Sequence, residues 1–152
     1  MTHDAGLTLR MQRILRAPRT VVFRALTEPH ELAKWFGPDG FSIPEVDCDL
    51  RAGGSYRIAM QPPEGELFHL AGEYRDVDPP ARLSYTFRWE EPDPDDRETV
   101  VTLSLYDLGG QATELVFTQG RFATEDRYAL HDEGWTQSLD KLERLMSAEA
   151  SA

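Results

Sequence analysis

The chain has 152 residues, 40% of them hydrophobic, and carries a formal net charge of −11 at neutral pH. That size predicts one domain over residues 1–152 with its core over about 7–146. The charge repels phosphate backbones and anionic headgroups, so no nucleic acid and no membrane is expected as a partner.

No apolar run approaches the roughly 20 residues of a membrane span, and the start MTHDAGLTLR has no signal-like apolar core, so a cytoplasmic location is expected. Cys48 is the single cysteine, which rules out an internal disulfide and suits a small apolar role.

Leu7, Leu9 and Met11 alternate with polar residues, the period of a half-buried strand. Pro18 ends that run and suits the first turn of a short helix, PRTVVFRAL, with Val22, Ala25 and Leu26 on one side. A second short helix follows Thr27 and Pro29. Its Leu32, Trp35 and Phe36 have helical spacing, and Gly37-Pro38 stops it.

From Phe41 the punctuation changes. Gly53-Gly54, Pro62-Pro63, Asp78-Pro79-Pro80 and Gly109-Gly110 separate runs of alternating residues, which predict six successive strands. Leu83, Tyr85, Phe87 and Trp89 form the cleanest apolar face, and Tyr56, Ile58 and Met60, then Leu103, Leu105, Leu115 and Phe117, repeat it. Tight turns between such runs favour an antiparallel meander. The acidic stretch from Glu90 to Asp96 reads as a solvated loop; it lacks the spacing of a calcium loop, and no metal site is expected.

After Phe122 the period reverts to helix, with Thr124 as N-cap and Glu125 and Asp126 in the first turn. Tyr128, His131, Trp135, Leu139, Leu142 and Met146 then share one face of a long helix that has to cover the sheet. Gly134 interrupts it beside Trp135. A glycine costs roughly 1 kcal/mol against alanine there, so either the helix approaches the sheet closely or a ligand needs room. Its place on the flank of the buried stripe favours close packing.

Four segments carry a resemblance: TEPHELAKWFGPDGF (27–41), DCDLRAGGSYRIAM (47–60), GEYRDVDPPARLSYTF (72–87) and HDEGWTQSLDKLERL (131–145). In this order they resemble the family named for the activator of the ninety-kilodalton heat-shock protein's ATPase, within the helix-grip superfamily of START domains and birch-pollen allergens. The resemblance implies an α+β fold in which a curved antiparallel sheet of about seven strands, in the order β-α-α-β6-α, wraps around the C-terminal helix. It also implies a cavity for an apolar or amphipathic molecule. Its wall would come from Trp35, Phe36, Tyr56, Ile58, Tyr85, Phe87, Trp89 and Phe117, with His131 and Trp135 opposite. The same aromatic stripes are equally consistent with packed core.

No catalytic motif is present: there is no nucleophile elbow, phosphate-binding glycine loop or zinc signature, and neither catalytic residues nor a cofactor is expected. Of the four histidines, His3 falls in a loose terminus, His30 on a short helix, and His69 in a strand whose facing the pattern leaves open. His131 shares a face with Trp135 and is either a polar contact for a ligand, a base, or a satisfied core residue. Gln119 and Arg121 are its possible polar neighbours.

Three classes of function stay open. The first is a binding protein for a small hydrophobic or amphipathic molecule. A co-chaperone-like domain with a chaperone partner is the second, and an aromatase- or cyclase-like enzyme the third. Monomer and homodimer both remain possible.

Overall fold

The computed structural model describes residues 7–151. Strand β1 (Leu9–Leu15) leads into helices α1 (Arg19–Thr27) and α2 (Pro29–Trp35). Six strands follow: β2 (Ser42–Cys48), β3 (Ser55–Gln61), β4 (Phe68–Asp78), β5 (Arg82–Trp89), β6 (Thr99–Asp107) and β7 (Thr113–Gly120). Helix α3 (Glu125–Ser151) closes the chain. All seven strands join one antiparallel sheet in the order β1-β7-β6-β5-β4-β3-β2, and α3 covers its apolar face. This is the expected α+β helix-grip architecture.

Two boundaries differ from the sequence reading. The first strand begins at Leu9 and runs on to Leu15, because every residue from Leu9 to Leu15 pairs with β7. Pro18 lies just outside α1 as its N-cap, where its carbonyl accepts from the amides of Val21 and Val22. The capping of α3 is as the sequence implies, since the Arg127 amide donates to Thr124 Oγ1 at 3.1 Å.

The period-two stripes all face inward. Leu83, Phe87, Val101, Leu103, Leu105, Leu115 and Phe117 are buried, and Leu139, Leu142 and Met146 of α3 meet them with no exposed surface. Arg13 of β1 donates to Asp140 and Glu143, tying the far half of α3 to the sheet edge. At the β3–β5 centre, Tyr56, Tyr74 and Tyr85 pack as a cluster, and the Tyr56 hydroxyl donates to the Thr86 carbonyl. Gly72 makes that possible. A Cβ there would stand 2.0 Å from the Thr86 carbonyl oxygen and 2.7 Å from a Tyr56 ring carbon, so no other residue fits.

The acidic loop is more than a solvated turn. Arg127 of α3 reaches into it and pairs with Asp93, Asp95 and Asp96. Among the described residues no acidic, histidine and cysteine groups come together as a metal site. Nor is any described helix long and apolar enough to cross a membrane.

Candidate functional site

A cavity of about 300 Å³ opens between the first half of α3, the strand ends of β3–β5 and the loop after α2. Its walls are almost wholly apolar. The loop after α2 contributes Phe36, Pro38 and Phe41, the strands contribute Met60, Phe68, Phe87 and Trp89, and α3 contributes Leu130, His131, Gly134 and Trp135. Local sequence explains the loop's shape: Gly37 and Gly40 both take positive φ, which bends the backbone away from α2 and across the helix. Gln137 then accepts the Asp39 amide at 2.9 Å, and the Lys141 ammonium donates to the Pro38 carbonyl at 3.4 Å.

Five of the ten residues anticipated as cavity wall line this space: Phe36, Phe87, Trp89, His131 and Trp135. The other five do not. Trp35 is fully packed, with its indole N–H donating to the Ala25 carbonyl at 2.8 Å. Tyr56, Ile58 and Tyr85 belong to the core around the tyrosine cluster, where burial pushes the Tyr56 and Tyr85 hydroxyls well above the usual phenol range. Phe117 is fully buried and packs against Trp135 with ring centroids 4.4 Å apart, without reaching the cavity lining. Phe41, Met60, Phe68, Leu130 and Ser138 are among the lining residues that sequence reasoning did not select. Met60 was legible, since it continues the inward stripe of Tyr56 and Ile58.

Aromatic rings set the geometry of the cavity floor. Phe36 meets Trp135 edge to face at 5.6 Å, and Phe87 packs against Trp89, His131 and Trp135. The Trp135 indole N–H donates to Gln119 Oε1 at 2.8 Å, and Gln119 Nε2 donates to Thr99 Oγ1 at 2.9 Å. Gln119 is therefore a neighbour of Trp135 rather than of His131. The hydrogen bonds just described use the Trp35 and Trp135 indole donors inside the protein.

His131 is buried beside Phe87, Trp89 and Phe122. Its Nδ1 lies 2.9 Å from the Arg127 carbonyl, and the Trp89 indole N–H donates to its Nε2 at 3.3 Å. A carbonyl only accepts and an indole only donates, so the ring is held neutral with the proton on Nδ1. Burial lowers its pKa below the ordinary value, and the charge of Arg127 adds to that, while its hydrogen bond to the Arg127 carbonyl and Asp96 act in the opposite sense.

His69 is half-buried and borders a second recess with Phe68, Trp89 and Leu130, on the side of the acidic loop. His30 is exposed, and His3 lies outside the described residues. Arg121 is exposed at the end of β7 and lines neither the cavity nor this recess. Cys48 is free, and its thiol donates to the Thr27 carbonyl at 3.5 Å.

A family model described as Activator of Hsp90 ATPase homolog 1-like protein matches residues 16–147. The chain belongs to this family. Solved structures carry the same fold over nearly the whole length. A protein from Nitrosomonas europaea is 32% identical, with 98% of this chain and 99% of that chain covered and a TM-score of 0.79. One from Chromobacterium violaceum is 30% identical over 93% of this chain and 97% of its own, with a TM-score of 0.78. The AHSA1 protein from Silicibacter pomeroyi is 28% identical over 93% and 99%, with a TM-score of 0.80. None of the curated proteins matches the sequence.

Proposed function

We propose that this member of the Hsp90-ATPase-activator-homologue family binds a small apolar or amphipathic molecule in the cavity between its sheet and α3. Family membership supports a ligand-binding or co-chaperone-like role in general. The observation that carries the finer reading is the cavity of about 300 Å³ with nearly continuous apolar and aromatic walls. Apolar walls of that extent hold water poorly, and an apolar guest displaces it and gains dispersion contacts. An apolar cavity of about 150 Å³ holds one benzene. Twice that volume suits roughly two fused rings.

The co-chaperone-like alternative rests on the family name. The enzyme alternative rests on His131, and both its ring nitrogens are already engaged, which leaves no spare lone pair for proton abstraction. Binding is therefore the better-supported reading.

Calorimetric titration with naphthalene tests it. Saturable one-to-one binding is the expected result, and a Phe87→Trp variant, which fills part of the space, should bind more weakly. A stably folded Phe87→Trp protein with unaltered affinity would overturn the assignment of this cavity. Native mass spectrometry of the purified protein would show a retained guest directly.

A further inference from the structure

The cavity wall contains one buried side chain whose polar group the protein itself leaves unused. Ser138 lies on α3 one turn beyond Gly134 and lines the cavity. The residue is 3% exposed, yet its hydroxyl makes no hydrogen bond with any described residue. A serine inside a helix ordinarily returns its proton to the carbonyl four residues back. No side-chain oxygen or nitrogen sealed from outside space lacks a partner among the described residues, so the Ser138 Oγ must open onto space. The cavity is the space that it borders.

The other polar lining groups are committed or peripheral. His131 uses Nδ1 and Nε2 on Arg127 and Trp89, the half-buried Gln137 holds the Asp39 amide through Oε1 and keeps Nε2 as a second, less buried donor, and Glu133 is exposed. A hydroxyl that opens onto an apolar cavity can exchange water for a guest's polar atom, and a serine both donates and accepts.

Charge narrows the guest further. No lysine or arginine lines the cavity, so an anion would lose its hydration with no cation to replace it. The chain's overall charge of −11 adds to that barrier. A buried ammonium would find only the solvated carboxylate of Glu133.

We propose that the guest is a neutral compound of about two fused rings bearing one hydroxyl or carbonyl oxygen, and that Ser138 Oγ receives that oxygen while the rings fill the aromatic remainder. The proposal deepens the binding reading and rests on it.

Calorimetry with naphthol, the matching methylnaphthalene and the matching naphthoate separates the two. In Ser138→Ala, naphthol should lose about three- to tenfold in affinity, the worth of one hydrogen bond, while methylnaphthalene binds as before or tighter. Ser138→Cys, with a weaker donor of similar size, should fall between wild type and Ser138→Ala for naphthol. Naphthoate should bind weakest to the wild-type protein. If neither neutral probe binds the wild type, the cavity reading fails and this inference with it. If both bind but their ratio is unchanged in Ser138→Ala and Ser138→Cys, the Ser138 assignment is overturned while the cavity survives. Tightest binding of naphthoate would overturn the neutral class.

Discussion

The indole N–H of Trp89 donates to Nε2 of His131 at 3.3 Å, across the gap between the end of β5 and the first turns of α3. Only the neutral imidazole accepts that bond. Protonation would set two N–H groups against each other and place a charge among Phe87, Phe122 and the Trp89 ring.

The first prediction follows from the sign of this effect. The His131 pKa in the folded protein lies below its ordinary value, so the unfolded chain takes up the proton first as pH falls. The stability from the neutral imidazole is complete above the ordinary histidine range. It is lost as pH falls through about 6.5 towards the depressed folded value. Denaturation midpoints between pH 7.5 and 5 should therefore decline in wild type and flatten in His131→Gln; equal slopes would rule out His131 as the cause. The carboxylates of Glu90, Asp95 and Asp107 are held below their usual range, so their contribution is lost at more acidic pH.

A second prediction concerns the chain Trp135, Gln119 and Thr99, in which Gln119 has no exposed surface. Trp135→Phe keeps a ring over Phe117 but leaves Gln119 Oε1 without a donor. It should cost about 1–3 kcal/mol from the orphaned acceptor, beyond the lost ring area. Gln119→Leu orphans the Trp135 indole instead. The double variant should lose less than the two singles combined, with a coupling on the order of 1 kcal/mol in chemical denaturation. Additive losses would show that the hydrogen bond carries no net stability.

These two bonds also mark where sequence reading stops. The switch from period two to period 3.6 after Phe122 placed α3 on the sheet, and strand alternation gave the inward faces of Tyr85, Phe87 and Trp89. Period alone gives a face, not a position along it. Tyr56 and Tyr85 point to the same side as Phe87, yet they meet Tyr74 at the sheet centre while Phe87 and Trp89 reach α3. Which strand residues meet α3 and which meet the tyrosine cluster decides what becomes wall and what becomes core, and that is a tertiary property. Ser138 was invisible for a related reason: whether a hydroxyl on a helix finds a partner depends on the tertiary groups around it, which local spacing does not give.

The acidic loop yields the third prediction. Arg127 is the cation that holds Asp93, Asp95 and Asp96 against α3, and its carbonyl also anchors His131. Its pairing with residues more than 30 positions earlier left no local signal. Arg127→Met removes the cation and leaves the carboxylates repelling one another, including Asp96, whose side chain is only 8% exposed. The variant should be destabilised more than Asp95→Asn, and raised salt should narrow the gap by screening that repulsion. Faster proteolytic cleavage within residues 90–98 would report the released loop. Arg127→Met with unchanged stability and unchanged cleavage would show that the cluster is ornamental to the fold.

The last prediction settles the question of Gly134. The sequence favoured close packing of α3 on the sheet, but the geometry overturns that. A Cβ built at Gly134 would touch Pro38 Cγ at 3.5 Å, an ordinary contact, and beyond its own helix no other described atom lies within 4 Å. Gly134 borders the cavity instead. Alanine there gains helix propensity and restricts the unfolded chain, so Gly134→Ala should raise stability by up to about 1 kcal/mol. The same methyl group projects beside Pro38 into space a guest would use, so naphthalene should bind more weakly. Chemical denaturation with and without naphthalene reads both effects. A destabilised variant would restore the close-packing explanation, and a stabilised one with undiminished binding would move the guest away from this part of the wall.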